Sequence, residues 1–125
     1  MTAPAVAENV RLKRIYEPKS PDDGCRILIT RYWPRGASKE AVDEYVPALA
    51  PSRELLQAYR EGILDWPRYR LQYLKEMQGE RARAQIHRLA KLARSEVITV
   101  MCVCADEDHC HRSLLRELIA GFDEG

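Results

Sequence analysis

The segment VITVMCVC, residues 97–104, is an unbroken run of apolar and β-branched residues. Eight residues are too few for a buried helix but are an ordinary length for a strand. A strand that is apolar on both faces is typical of the interior of a parallel sheet. The run CRILITRYW, residues 25–33, has the same character and ends at Pro34 and Gly36. These two runs predict a sheet that lies inside the protein.

Strand and helix patterns alternate along the rest of the chain. Residues 10–16, VRLKRIY, alternate apolar and basic residues as a half-exposed strand does. Capping residues and helical periodicity predict helices over residues 53–62, 66–78, 80–94 and 110–120. Residues 38–44 are compatible with a fifth short helix or with an extended piece running into DEYVPAL. We therefore predict an α/β fold, a small and mostly parallel sheet of three or four strands flanked by about five helices.

The length of 125 residues fits one domain, so we expect residues 1–9 to be a flexible N-terminal tail and residues 10–125 to be a single α/β domain. Twenty Lys and Arg residues balance 19 Asp and Glu residues, which leaves no bulk charge to attract nucleic acid or anionic lipid. The sequence contains no signal-peptide pattern and no apolar run of about 18 residues. We expect a cytoplasmic protein without a membrane partner, in which the four cysteines stay reduced.

The cysteines raise the question of a metal site. On one strand, Cys102 and Cys104 would lie roughly 6.6 Å apart on the same face, whereas two thiolates on one zinc ion lie only about 3.8 Å apart. A disulfide between them fails for a similar reason. A zinc site would need the chain to curl after the strand, so that Cys104, His109, Cys110 or His111 meet. The spacing matches no common zinc motif, and we predict no metal ligand.

The turn that enters the last helix suggests a different role. The first backbone N–H groups of a helix favour an anion, yet this helix begins with Cys110, His111 and Arg112. Acidic residues at 106–108 are one explanation, because they could cap the helix themselves. The other explanation is a pocket for a phosphate, carboxylate or sulfate, in which the same field would increase the thiolate fraction of Cys110.

A second basic cluster follows the other interior strand. Arg31 and Arg35 lie on either side of Trp33 in the segment TRYWPRG. Ligands of α/β proteins bind outside the carboxyl ends of the strands. If the two strands are parallel neighbours, the arginines and the Cys-His-Arg turn converge on one crevice. If the strands are antiparallel, they do not.

Four segments occur together and in order, namely RILITRYWPRGASKE, LAPSREL, DWPRYRLQYLKEM and ITVMCVCADEDHCHRSLLREL. Through them the chain resembles the YeaO-like branch of the domain of unknown function 488 family over residues 10–120. The signature pieces are residues 31–36 and a strand-ending cysteine followed eight residues later by Cys-His-Arg, matched by Cys102, Cys110, His111 and Arg112. The resemblance implies a small α/β fold, an intracellular location and no established activity. Thr30 stands where the family ordinarily has an aspartate, so no carboxylate can act there.

The leading hypothesis is an anion-binding crevice at the carboxyl ends of the strands, in a small enzyme that acts on a phosphorylated or nucleotide-like ligand. The predicted anion-binding residues are Arg31, Arg35, Arg112 and Trp33, and the predicted catalytic residues are His111, Cys110 and Cys102. One alternative is a nucleic-acid-associated or regulatory module that uses the basic helix 80–94. Another is a structural zinc protein. The sequence assigns no cofactor and no oligomeric state.

Overall fold

The structure, a computed structural model, describes residues 8–103 and 110–121. Its four strands form one sheet in the order β1-β4-β2-β3, and each neighbouring pair is parallel. The strands are β1 (Val10–Arg14), β2 (Cys25–Leu28), β3 (Glu44–Tyr45) and β4 (Ile98–Cys102). Every residue of β4 is buried. The predicted small parallel sheet is confirmed, and Ile98–Cys102 of the 97–104 run form an interior strand.

Four α-helices lie in the described part of the chain. They are α1 (Arg53–Arg60), α2 (Trp66–Glu76), α3 (Glu80–Ser95) and α4 (His111–Ala120). The Ser52 hydroxyl accepts a hydrogen bond from the backbone of Leu55 at the start of α1, and the Asp65 carboxylate does the same for Arg68 at the start of α2. These caps accept hydrogen bonds from backbone N–H groups that have no partner within the helix, and for this reason the sequence predicts both helix starts.

The number of helices is slightly below the five that the sequence predicts. Residues 38–44 form only one 3₁₀ turn, Lys39–Ala41, before the chain enters β3. The reason is pairing with β2, since Glu44 and Tyr45 lie beside Ile27 and Leu28 in register, and the Val46 amide donates to the Leu28 carbonyl. The extended alternative for this stretch is the correct one.

The two faces of the sheet are covered differently. The main core packs residues of all four helices against Ile27, Ile98 and Val100. The opposite face carries a small apolar cluster, Ile15, Leu28 and Met101, covered by loop residues. All the α-helices that the structure describes therefore contribute to the core on one side of the sheet.

An ionic network occupies the opposite face near the N-terminal ends of the strands. The Asp23 carboxylate is buried, pairs with the buried Arg26 guanidinium and lies 2.9 Å from the Lys13 ammonium. It also accepts a hydrogen bond from the Ser20 amide. The Thr99 hydroxyl donates to the Asp23 carbonyl, which ties the network to β4. This network joins three strands of the sheet to the 3₁₀ turn Pro21–Asp23.

Of the predicted N-terminal tail, residues 1–9, the structure describes only residues 8 and 9. The Asn9 amide group donates to the Ala93 carbonyl at 2.6 Å, and the Ile98 amide donates to the Asn9 carbonyl at 2.8 Å. The last residue of the predicted tail is therefore hydrogen-bonded to the domain. Residues 1–7 and 122–125 lie outside the described residues.

Gly24 fits a position that no other residue can occupy without strain. Its φ is +61° and its ψ is −134°, a region essentially restricted to glycine. A Cβ atom there would lie 2.0 Å from the Val97 carbonyl oxygen, which accepts the Cys25 amide hydrogen bond. We expect Gly24→Ala to lower the free energy of unfolding by about 2–3 kcal/mol, measured by urea denaturation.

Gly36→Ala is the matched control for this substitution. Gly36 also has a positive φ, +79°, but no atom lies within 4 Å of a Cβ placed there. Gly36→Ala should lower the free energy of unfolding by about 1 kcal/mol, which is the conformational cost of the positive φ alone. Equal losses for the two variants would contradict the steric explanation.

Candidate functional site

The carboxyl ends of β2 and β4 lie side by side at one edge of the sheet. The strands are parallel neighbours, with Leu28 in register with Met101, and the Ile29 amide continues the pairing by donating to the Met101 carbonyl. The segment after Ile29 and the segment after Cys102 therefore leave the sheet at the same edge. This is the geometry on which the predicted crevice depends.

A cavity of about 280 Å³ opens at this edge. Five of the predicted site residues line it, namely Arg31, Trp33, Arg35, Cys102 and His111. Its other lining residues are Tyr16, Thr30, Tyr32, Pro34, Pro51, Leu56, Arg60 and Val103. Three arginines and three aromatic residues thus surround one cavity, and no carboxylate is among the described residues that line it.

The loop that carries the arginines is held by hydrogen bonds. The Tyr16 hydroxyl donates to the Arg35 carbonyl at 2.8 Å, and the Tyr45 hydroxyl donates to the Arg31 carbonyl at 3.1 Å. The indole N–H of Trp33 donates to the Ala37 carbonyl, and the Trp33 ring meets the Tyr45 ring edge-on. These contacts fix the loop before any ligand binds.

Arg31 is oriented by the chain that precedes α1. Its Nε and Nη2 atoms donate to the Pro51 carbonyl, and Nη2 also donates to the Ala50 carbonyl at 3.2 Å. Carbonyl acceptors leave the positive charge of the guanidinium uncompensated by a carboxylate. Arg31 therefore links the loop to the start of α1 and adds positive potential to the cavity.

Two thiols and an imidazole lie close together, and two of these three residues, Cys102 and His111, line the cavity. The Cys102 sulfur, at the end of β4, lies 3.0 Å from the sulfur of Cys110, the residue that precedes α4. The Cys110 sulfur lies 3.7 Å from Nδ1 of His111. All three side chains are buried. The structure thus brings together the three residues that the sequence proposed as catalytic.

His111 has a defined orientation. Its Nε2 atom lies 2.9 Å from the Ile29 carbonyl oxygen. Because a carbonyl can only accept, Nε2 carries a proton, and in the neutral ring Nδ1 is then the unprotonated nitrogen that faces Cys110. The Tyr73 ring packs edge-on against the imidazole, and its hydroxyl donates to the Leu49 carbonyl.

Arg112 lies elsewhere. Its side chain is 1% exposed, and it is not one of the residues that line the cavity. The anion-binding role predicted for Arg112 therefore lacks a cavity contact in the structure. The acidic residues that could cap α4, residues 106–108, lie outside the described residues.

Sequence reasoning did not select Arg60, Tyr16 or Tyr32 for the site. Tyr16 follows β1, so the rule that selected Arg31 and Arg35 would have found it, because β1 is parallel to β4. Tyr32 lies between two residues that were selected. Arg60 ends α1, and no sequence pattern indicates that the end of this helix reaches the strand ends.

The cluster also bears on metal binding. The sulfurs of Cys102 and Cys110 and a ring nitrogen of His111 all lie within 4.8 Å of one another. This is a different set from the one weighed in the sequence, of which Cys104 and His109 lie outside the described residues. Zinc would need the two sulfurs about 3.8 Å apart, so the observed 3.0 Å separation would have to widen.

The basic face of α3 is partly paired within the protein. The Arg88 guanidinium forms an ion pair with the Glu44 carboxylate at 2.6 Å and hydrogen-bonds Gln85. Such pairing reduces the charge that this helix could offer to phosphates. None of the helices in the described ranges has the length and apolar character needed to cross a membrane.

Fold and site together define a small α/β protein with a cationic, aromatic-lined cavity at the carboxyl ends of a parallel sheet. The family model DUF488-N3a, described as "Active DUF488-N3 subclade", matches residues 10–121. The chain belongs to this family and is a YeaO-like DUF488 protein, as the sequence motifs indicated.

Two curated relatives illustrate the match. "Uncharacterized protein YeaO" of Escherichia coli (strain K12) is 33% identical over 111 residues, covering 87% of this chain and 95% of the relative. "Uncharacterized protein Rv3073c" of Mycobacterium tuberculosis (strain H37Rv) is 32% identical over 114 residues, covering 90% and 94%. No solved structure matches the chain.

Proposed function

We propose that this protein is a small cytoplasmic enzyme that binds a phosphorylated or nucleotide-like ligand in the cavity at the carboxyl ends of β2 and β4. The observation that carries the proposal is the lining of that cavity, three arginines and three aromatic rings around a cysteine and a histidine. The volume of about 280 Å³ is at the lower end of small-molecule sites, so the ligand is a single small molecule.

The arginines supply the anion-binding part of the site. The side chains of Arg35 and Arg60 are exposed, and the structure gives neither an ion pair with a carboxylate of the described residues. Arg31 is anchored through carbonyl groups and keeps its charge. Guanidinium groups bind phosphate through paired, charge-assisted hydrogen bonds. Because no carboxylate is among the described residues that line the cavity, the potential that these residues create favours an anion.

The aromatic rings supply a stacking surface. Tyr16, Tyr32 and Trp33 are 50%, 60% and 40% exposed, although each is large and partly apolar. Base stacking on an aromatic ring contributes about 1–3 kcal/mol and tolerates any base. A nucleotide would satisfy both features of the cavity, with its phosphate on the arginines and its base on a ring.

His111, Cys110 and Cys102 are the proposed catalytic groups. The unprotonated Nδ1 of His111 faces the Cys110 sulfur at 3.7 Å, and Cys102 is one of the residues that line the cavity. A neutral imidazole in this place can accept a thiol proton near neutral pH. The Cys110 thiolate that results is a nucleophile next to Cys102 and His111, which line the cavity.

A ligand screen by thermal unfolding tests the proposal. The probes are inorganic phosphate, nucleoside mono- and diphosphates, a sugar phosphate and an unphosphorylated nucleoside. We expect at least one phosphorylated probe to stabilise the protein, by about 2.7 kcal/mol at one hundred times its Kd. Arg60→Gln should reduce the shift, whereas Arg68→Gln, an exposed arginine outside the cavity, should keep it.

Turnover of the stabilising ligand is then followed by phosphorus NMR. His111→Asn should abolish turnover while the ligand still binds. A screen in which no phosphorylated probe shifts the melting temperature would refute the ligand class. The same shift in wild type and Arg60→Gln would refute the site.

A further inference from the structure

Cys102 and Cys110 form a close pair that has a chemistry of its own. Their sulfurs are 3.0 Å apart, and both side chains are at most 1% exposed. One ends β4 and the other immediately precedes α4, so two regular elements hold the pair from opposite sides. Fixed elements of this kind keep the sulfurs together even when the cavity is empty.

The separation of the sulfurs is shorter than a zinc pair requires and longer than a disulfide. Thiolates on zinc lie about 3.8 Å apart, and a disulfide bond is about 2.05 Å long. The pair therefore needs an approach of about 1 Å to become bonded. Cys102 is one of the residues that line the cavity, whereas Cys110 is not among the described lining residues. Of the two cysteines, Cys102 is therefore the one next to a small oxidant that enters the cavity.

The surroundings of Cys110 favour its thiolate form. His111 presents an unprotonated nitrogen to Cys110, because its other nitrogen is bonded to the Ile29 carbonyl. Cys110 also lies at the N-terminal end of a ten-residue helix, where the helix dipole favours negative charge. Cys25 lies in the opposite environment, since burial and the neighbouring Glu44 and Asp43 carboxylates raise the pKa of its thiol to about 11.

We propose that Cys102 and Cys110 are a reversible dithiol–disulfide pair that is oxidised by a small hydroperoxide entering the cavity. The pair does not depend on the anion-binding role proposed above. Cys102 reacts with the hydroperoxide first, because it is the cysteine that lines the cavity, and Cys110 resolves the product, because its sulfur faces His111.

The chemistry balances in two steps. The Cys102 sulfur attacks one oxygen of the hydroperoxide, so that an S–O bond forms, the O–O bond breaks, and an alcohol leaves with the thiol proton. Cys102 is then a sulfenic acid. The Cys110 sulfur displaces the hydroxyl group from Cys102, His111 takes the Cys110 proton and passes it on, and water leaves. Two thiols are oxidised by two electrons and the hydroperoxide is reduced; a low-molecular-weight thiol regenerates the pair.

Mass spectrometry of the whole chain tests the pair. Protein purified without chelator, reduced and freed of reductant, is treated with one equivalent of hydrogen peroxide. We expect the mass to fall by two hydrogen atoms, fragmentation to place the link between Cys102 and Cys110, and dithiothreitol to reverse the change. Cys25→Ser and Cys104→Ser should leave the link intact, whereas Cys110→Ser should trap Cys102 in higher oxidation states. His111→Asn should slow the link at least about tenfold at neutral pH.

Mapping on the wild-type protein makes the result independent of how the variants fold. A link that joins any other pair of cysteines would overturn the proposal. So would equimolar zinc that is retained by wild type and lost in Cys102→Ser and Cys110→Ser, because the thiols would then be metal ligands. Ligand binding in the nucleotide screen depends on the cavity arginines and not on the thiols, so the redox pair and the proposed ligand class can fail separately.

Discussion

Asp23→Ala is expected to lower the free energy of unfolding by about 3–5 kcal/mol, the largest loss that we expect from one substitution in this chain. Asp23 and Arg26 are both fully buried and paired with each other. Removing the carboxylate leaves the buried Arg26 guanidinium without its counter-charge and removes the shared anion that the Lys13 ammonium also contacts. Urea denaturation followed by circular dichroism measures the loss.

Asp22→Ala is the matched control. Asp22 is the neighbouring acid in the same 3₁₀ turn, but its side chain is exposed. Its loss should stay within about 0.5 kcal/mol. If the two variants lost similar amounts, the turn itself and not the buried pair would be the stabilising feature.

The same carboxylate predicts a pH dependence. Burial alone would raise the pKa of Asp23, but hydrogen bonds from Lys13, the Ser20 amide and Arg26 lower it below the ordinary 3.8. A group with a lowered pKa stabilises the fold above its unfolded pKa, and this contribution is lost as the pH falls through the folded pKa. The stability difference between wild type and Asp23→Asn should therefore be constant above about pH 5 and shrink below pH 3.8. A difference that grows as the pH falls would contradict this assignment.

The sequence predicted the parts of the fold that depend on local pattern. The apolar run at 97–104 indicated an interior strand, which the structure has at Ile98–Cys102, and Ser52 and Asp65 marked the starts of helices through their caps. The buried pairing of Asp23 with Arg26 was not predictable in this way. Asp23 occurs in a stretch that the sequence predicts as a loop, and Arg26 in one that it predicts as a strand. The turn at Gly24 brings the Asp23 carboxylate back to the Arg26 guanidinium.

The site residues likewise divide into those that the sequence could predict and those that it could not. Arg31, Arg35, Cys102 and His111 line one cavity. This meeting was predictable because the carboxyl ends of neighbouring parallel strands lie at the same edge of a sheet, and β2 and β4 are such neighbours. The direction of a side chain within a helical turn did not follow. Arg112 and His111 are adjacent in sequence and were both selected, yet Arg112 is buried and is not one of the residues that line the cavity, whereas His111 lines it. Arg60 ends α1, and the distance of α1 from the strand ends depends on how the helix packs, which the sequence pattern does not indicate.

The largest effect on binding is expected from the two exposed arginines of the cavity, Arg35 and Arg60. Changing both Arg35 and Arg60 to glutamine should weaken the affinity for the phosphorylated ligand found in the screen by roughly a hundredfold or more. Each charge-assisted hydrogen bond contributes about 1.5–3 kcal/mol, and about 1.4 kcal/mol corresponds to a factor of ten. Both side chains are exposed, so the fold should keep its stability.

The control is the double variant Arg68→Gln and Arg81→Gln, which alters two exposed arginines that do not line the cavity. Each double variant removes two positive charges from a chain of formal net charge +1, so both end at −1 and differ only in where the charge was lost. Titration calorimetry at two salt concentrations measures the affinities. We expect the cavity variant to lose most of the affinity and most of its salt dependence, and the control to lose only a small screened contribution. Equal weakening by the two variants would mean that the ligand responds to the overall charge of the protein and not to a site at the strand ends.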